Sequence, residues 1–142
     1  MTNLSPYAQQ VILNHMLRGQ RFEPPLKFYL AVFVEDTQDR SRVIEVNTSD
    51  YKRMEISFTA PQNGVCENFS DILWLRAKAH WGNAAVLGVF DAQTRGNLWF
   101  SALVLNPDGQ PEPMAIGRNQ QFSVRQGEFT VSLTAKEGGK AA

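Results

Sequence analysis

A single cysteine, Cys66, stands in 142 residues, beside only two histidines. One thiol cannot form an intramolecular disulfide, and no Cys/His set of zinc-ligand spacing exists. Cys66 itself reads as a small strand residue. Net charge is missing as well, because fourteen basic side chains balance fourteen acidic ones. That balance removes the electrostatic footprint of a dedicated nucleic-acid binder and of a protein held on anionic lipid. No apolar run reaches the ~18 residues that a bilayer-spanning helix needs. The first residues lack the basic and apolar regions of a secretion signal, so the chain is expected to be made and folded in a cytosol. The triplets Asn3-Leu4-Ser5, Asn47-Thr48-Ser49 and Asn68-Phe69-Ser70 then carry no meaning as glycosylation sites.

Catalytic signatures are equally scarce. No G-x-S-x-G, P-loop or H-E-x-x-H pattern occurs. His15 sits on a helix face and His80 beside Trp81, with nothing to bring them together at a nucleophile. Glu35, Asp36, Asp39 and Asp91 offer oxygens that calcium could use, but EF-hand spacing is absent and solvated loop charges explain them. Nothing sets Glu112 and Glu128 at an acid/base separation. The sequence therefore assigns no catalytic, cofactor-binding or metal-binding residue, and an enzyme is not expected.

What is present is an ordinary globular composition, 43% apolar and 11% aromatic, in a length that suits one domain with one core. Ser5 is a good N-cap, Pro6 suits the first helical turn and Gly19 offers a left-handed stop, which predicts a helix over residues 4–19. Val11, Ile12, His15 and Met16 lie close to one stripe that Tyr7 and Leu4 extend and Leu13 and Leu17 widen. A helix this short must dock, on its own sheet or on a neighbouring subunit. Past Glu23-Pro24-Pro25 the pattern is that of strands. Leu26, Phe28, Leu30, Val32 and Val34 share one side of a first strand, with Tyr29, Ala31 and Phe33 on the other, which suggests burial on both faces. Residues 35–50 form a long polar loop with a short strand near Val43 to Val46.

Further strands are expected at 54–58, 65–69, 72–75, 85–90 and 98–105, with Trp81-Gly82-Asn83 as a break between them. Asn106-Pro107-Asp108-Gly109 is a turn, and Pro111 and Pro113 keep the excursion to Gly117 irregular. Residues 122–125 and 128–134 are expected to pair as a final hairpin across Gln126-Gly127. The sum is a mainly β chain: a single domain over 1–142, with a helix at 4–19, a β-sandwich or barrel-like body of about eight strands at 26–134 and a loose tail at 135–142. Most of the aromatics are assigned to its core. A few on an outer face would suit a protein interface or a sugar-stacking platform.

The order of motifs carries a resemblance. The opening Leu4-Ser5-Pro6-Tyr7-Ala8 to Leu13-Asn14-His15 is followed by Pro24-Pro25 and Phe28-Tyr29-Leu30-Ala31-Val32-Phe33. Tyr51-Lys52-Arg53, Ile56-Ser57-Phe58 and Ala60-Pro61-Gln62-Asn63-Gly64-Val65 come next. The most specific stretch is Trp81-Gly82, Leu87-Gly88-Val89-Phe90-Asp91-Ala92, Thr94 and Gly96-Asn97-Leu98-Trp99-Phe100, and Gly127-Glu128-Phe129-Thr130-Val131-Ser132-Leu133 ends it. In this order the chain resembles a family of short bacteriophage virion proteins labelled "phage tail fiber protein". It departs from the family in a more charged loop after Val34 and a longer, proline-rich segment from Asn106 to Gly117.

The resemblance implies a non-enzymatic virion component. A fibre shaft needs long repetitive sequence, which is absent, so a tail-associated connector or fibre component is expected, bound to a portal–adaptor, fibre or spike. A capsid decoration protein on the major capsid protein and a host-glycan-binding module are the alternatives. A symmetric homo-oligomer or multicopy array is expected, with no nucleic acid, membrane or cofactor. Contact candidates are Tyr7 and His15 on the helix, Asp36, Asp39, Arg40 and Arg42 in the charged loop, and Pro107, Asp108, Pro111 and Pro113 in the excursion. Trp81, Gly82, Gly88, Asp91, Gly96 and Asn97 read as architecture.

Overall fold

A computed structural model describes residues 2–132. The end of the expected last strand and the tail at 135–142 lie outside the described residues. Among the described residues there are eleven strands and one helix, so the mainly β reading holds with three more strands than expected. The chain opens with β1 (Thr2–Leu4), which the sequence did not suggest, and α1 (Pro6–Arg18). The Ser5 hydroxyl accepts from the Ala8 N–H at 3.0 Å and donates to the Leu98 carbonyl, so one side chain both starts the helix and ties it to the sheet. Gly19, at φ +66°, stops it as expected.

The main sheet is built on β2 (Phe28–Glu35), β3 (Val43–Glu45), β4 (Met54–Ile56), β7 (Gly82–Phe90), β8 (Leu98–Leu103) and β9 (Met114–Ile116), with β1 at one border. Every pairing is antiparallel, in the order β1-β8-β7-β2-β3, with β4 also on β2 and β9 also on β7. Two expectations fail here. Gly82 opens the longest strand instead of breaking the chain, because its φ of +120° lets the backbone lie against Val34, where a Cβ would come within 3.0 Å. The proline-rich excursion contains β9, since Pro111 and Pro113 precede the residues whose N–H groups join the ladder. Leu26 lies outside β2 and is fully exposed, two residues before the strand begins.

The second layer comes from β5 (Val65–Glu67), β6 (Ile72–Leu73), β10 (Ser123–Val124) and β11 (Thr130–Ser132). The expected final hairpin does not form: β10 pairs with β6, and β11 pairs with β5. Segments 65–77 and 120–132 therefore run as one long antiparallel ribbon, extended by the Trp74 N–H to the Phe122 carbonyl at 3.1 Å and the Ala77 N–H to Gln120 at 2.9 Å. The ribbon is kinked at Asn68. That side chain is wholly buried, donates to the carbonyls of Ser70 and Arg125 and accepts from the Phe129 N–H, all at 2.9 Å. It supplies the partners that a regular ladder would otherwise supply.

One stretch links the layers. Residues 54–56 pair with β2, and residues 57–59 then pair with the ribbon, through Thr59 N–H to Glu67 at 2.8 Å and Phe69 N–H to Ser57 at 2.9 Å. The core lies between the layers, where Leu30, Val32, Val34 and Val89 meet Trp74, Phe122 and Phe129. Full burial of side chains such as Leu30 is worth roughly 1.5–3 kcal/mol each. Tyr29, Phe33, Val86 and Leu98, on the other side of the sheet, are only partly buried and outside this core, so β2 is not closed equally on both faces.

Candidate interaction surfaces

Of the residues read as architecture, Asp91, Gly96 and Asn97 build one corner past the end of β7, Gly88 lies within that strand, and Trp81 and Gly82 stand at its start. The carboxylate of Asp91 accepts from the Asn97 N–H at 2.8 Å, the Asn97 amide at 3.1 Å and the Trp99 indole at 3.2 Å. Partial burial alone would raise its pKa. The donors from Asn97 and Trp99 outweigh that and hold it below the usual carboxylate range. Gly96, at φ +75°, closes the same loop, and a Cβ there would sit 2.5 Å from an Asp91 oxygen. Gly88 lies under Phe33, Phe90 and Leu98. Trp81 is buried and its indole reaches Asp50 at 3.3 Å.

Beside this corner is a buried charge network that sequence reasoning missed. Arg53 is only 6% exposed. Its Nε and one terminal nitrogen each donate to a Glu45 oxygen at 2.9 Å, and its other nitrogen donates to the carbonyls of Ala92 at 2.9 Å and Arg95 at 2.7 Å. Tyr51 donates to Glu45 at 2.7 Å and accepts from the Val32 N–H at 3.0 Å. That hydroxyl fills a gap on the edge of β2 between β3 and β4. Burial pushes the Tyr51 phenol upward, reinforced by the Glu45 carboxylate. For Glu45, burial opposes ionisation, but the bonds from Arg53 and Tyr51 prevail and lower its pKa. Tyr51-Lys52-Arg53 was legible only as a motif, since nothing in its pattern shows a buried arginine.

The contact candidates are scattered over three regions. Tyr7 packs edge-on against buried Trp99, with centroids 5.4 Å apart. The His15 Nδ1–H donates to the Gln20 carbonyl at 2.9 Å, and its ring meets Phe22. Both are partly engaged inside the chain. Asp36 and Asp39 take N–H groups of Gln38 and Ser41 at 3.0 Å, and the Ser41 hydroxyl with that N–H lowers the Asp39 pKa. The charged loop is thus a set of ordered side-chain turns. Arg40 and Arg42 are exposed beside them, and among the described residues neither forms an ion pair. At the tip of the excursion the Asn106 amide oxygen accepts from the N–H groups of Asp108 at 2.9 Å and Gln110 at 3.0 Å, leaving Pro107, Asp108, Pro111 and Pro113 exposed.

The helix carries the largest exposed apolar side chains of its region. Ala8 is its buried contact, while Leu13, Met16 and Leu17 are 55%, 72% and 77% exposed. Met16 belongs to the expected apolar stripe and Leu13 and Leu17 to its widening, and of the two docking places open to that face, the chain's own sheet is not the one these three side chains meet. Their i, i+3, i+4 spacing makes one outward stripe. A cleft of about 410 Å³ also opens between the layers, lined by Leu103, Leu105, Met114, Phe122 and Phe129 among others. All three tryptophans are buried, which leaves no indole face for sugar stacking. Among the described residues no group of three or more His, Cys, Asp or Glu is placed to hold a metal, and no helix is long and apolar enough to cross a membrane.

The described residues thus form an antiparallel β body that presents an apolar helix stripe and ordered loops. The family model described as Podophage GP4 fiber I protein gp80 matches residues 3–132, and the chain belongs to that family of bacteriophage tail-fibre proteins. Membership places it in the virion, in association with other virion proteins. No curated protein matches the chain.

Proposed function

We propose that the chain is a tail-associated connector or fibre component that acts as one domain and docks on another protein of the tail or portal region. The observation that carries this reading is the α1 stripe of Leu13, Met16 and Leu17. Three large apolar side chains on the outer face of a tethered helix favour a groove on a partner. The charged loop with Asp36, Asp39, Arg40 and Arg42, and the tip with Pro107 and Asp108, would add orientation at the rim of such a contact. No binding site for a cofactor is part of this reading.

The test is complementation of a phage that lacks the protein with Leu13→Asp/Leu17→Asp. The variant is expected to stay soluble and folded, since both side chains are already in water. Its incorporation into particles should fall at least ~10-fold, the effect of losing about 1.4 kcal/mol of binding. Normal incorporation would sink the helix as the docking element. Averaged cryo-EM of the particle gives the place: density only at icosahedral threefold positions would replace the tail reading by capsid decoration.

A further inference from the structure

We infer that the end of the body where β7 begins is a second docking surface, a cationic one that takes an acidic segment of another virion protein. Two paired loops build it. The Ala77 N–H donates to the Gln120 carbonyl at 2.9 Å, the Asn119 N–H to the Ala77 carbonyl at 2.7 Å and the Trp81 N–H to the Ile116 carbonyl at 2.9 Å. Ala77 and Trp81 are buried, while Arg76, Lys78, His80 and Arg118 are exposed around them. His80 stands over Gly117, its Nδ1 3.9 Å from the place of a Cβ there. Arg76, with Asn119, Gln120 and Gln121, lines an open hollow of about 440 Å³.

Charge is sorted at this end, in a chain whose total is zero. No carboxylate occurs between Asp71 and Asp91 or between Glu112 and Glu128. Asp50 is bonded into the loops, but it accepts from the Lys78 N–H at 2.7 Å and the Trp81 indole at 3.3 Å, so it holds the backbone and not the cationic heads. Among the described residues Arg76, Lys78 and Arg118 form no ion pair. Three like charges on adjacent loops repel one another, and carboxylates from outside would relieve that. The loops are also ordered in advance. Gln120 Oε1 accepts from the Gly117 N–H at 2.5 Å, the Gln121 amide donates to the Trp74 carbonyl at 2.8 Å and Arg76 donates to the Asn119 carbonyl at 2.9 Å. A site held this way loses little entropy when its partner arrives.

An acidic protein segment fits better than a nucleic acid or a sugar chain. Four basic groups at one end do not make the stripe that tracks a phosphate backbone. Trp74, Trp81 and Phe122, the aromatic residues of this end, are buried and offer no ring for a base or sugar to stack on. The surface also lies away from the helix anchor. Gly82, the first residue of β7, pairs with Ile116, and Phe90, the last, pairs with Leu98, whose carbonyl accepts from Ser5. Nine residues at ~3.4 Å put roughly 30 Å between the two ends. One body can therefore hold two partners at once.

Solution NMR of the full chain with a short oligoglutamate peptide tests this. Amide shifts are expected at 76–80 and 117–120, and they should fade as salt rises from ~0.05 to ~0.5 M. Lys78→Glu/Arg118→Glu should bind the peptide at least ~10-fold more weakly with unchanged tryptophan fluorescence, and Lys78→Arg/Arg118→Lys should bind it like the wild type. Phage carrying the glutamate pair should lose infectivity at least ~10-fold. Shifts absent from these loops overturn the inference, as does a folded glutamate variant that binds the peptide or infects like the wild type. Larger shifts with oligogalacturonate or single-stranded DNA than with oligoglutamate overturn it in favour of a sugar or nucleic-acid ligand. Leu13→Asp/Leu17→Asp should leave the peptide binding unchanged, so this proposal and the helix reading can each fail alone.

Discussion

The guanidinium of Arg53 lies 3.7 Å from the centroid of the Phe90 ring. It is stacked against the outer face of β7 while its nitrogens are shared between Glu45 and the 91–97 loop. A buried cation is tolerable only when its donors and its partner charge are all in place. Arg53→Met should therefore cost about 3–5 kcal/mol in urea unfolding, because it strands Glu45 and two loop carbonyls. Arg53→Lys should recover little, since an ammonium cannot reproduce the two-pronged contact with Glu45.

Acid should act through the same pair. The Glu45 pKa is lower in the folded chain than in the unfolded one. Its contribution is fully present above the unfolded carboxylate value of 4.5 and is lost as pH falls through the lower folded value. Urea midpoints taken from neutral pH downward should show this loss, and Glu45→Gln should flatten that part of the profile. An unchanged slope in the variant would assign the acid sensitivity to other carboxylates.

Tyr51→Phe isolates the hydroxyl. It leaves the Val32 N–H without its acceptor and Glu45 without one donor, at an expected cost of about 1–3 kcal/mol. The phenol is raised above its ordinary value of 10.0. Its protonated form is thus the stabilising one, and stability should decline as pH climbs beyond that value. The phenylalanine variant should lack this alkaline component.

Asn68→Asp should be among the most damaging single-atom changes. It removes the donor to the Ser70 and Arg125 carbonyls and sets a charge in a fully buried site. A loss of roughly 3–5 kcal/mol is expected from thermal or urea unfolding. Asn68→Ala should cost less, because it leaves partners unsatisfied without burying a charge.

Two glycines separate backbone strain from collision. Gly96 and Gly109 both have positive φ, +75° and +80°, but nothing lies within 4 Å of a Cβ at Gly109. Gly109→Ala should cost only the left-handed penalty of about 1–2 kcal/mol. Gly96→Ala should cost more, since the methyl would also collide with Asp91 and Ala92, and its unfolding should coincide with loss of the Trp99 environment by fluorescence.

Local signals explain what was legible. The helix was readable because Ser5, Pro6 and Gly19 act within one turn of their own positions. The β7–β8 hairpin was readable because Asp91 to Asn97 makes its own turn. The failures involve choices between distant partners. Residues 122–125 and 128–134 alternate as strands whichever neighbour they take, and only the buried Asn68 bonds to Arg125 and Phe129 show why they join the 65–74 segment instead of each other. The docking side of the helix was left open in the sequence for the same reason. Periodicity finds an apolar face, but which side meets the sheet was decided by Ala8, small enough to let the backbone approach. Arg53 was invisible because its burial depends on Glu45 and on carbonyls about forty residues away.

The run from Met54 to Thr59 hands its hydrogen bonds from the main sheet to the ribbon without leaving the chain. Two layers joined only by apolar contact can slide, because such contacts resist shear weakly and reform at a new register. Here a pull on either layer is transmitted along covalent backbone, and separation requires ladders on both sides to rupture together. The body therefore yields as one mechanical unit.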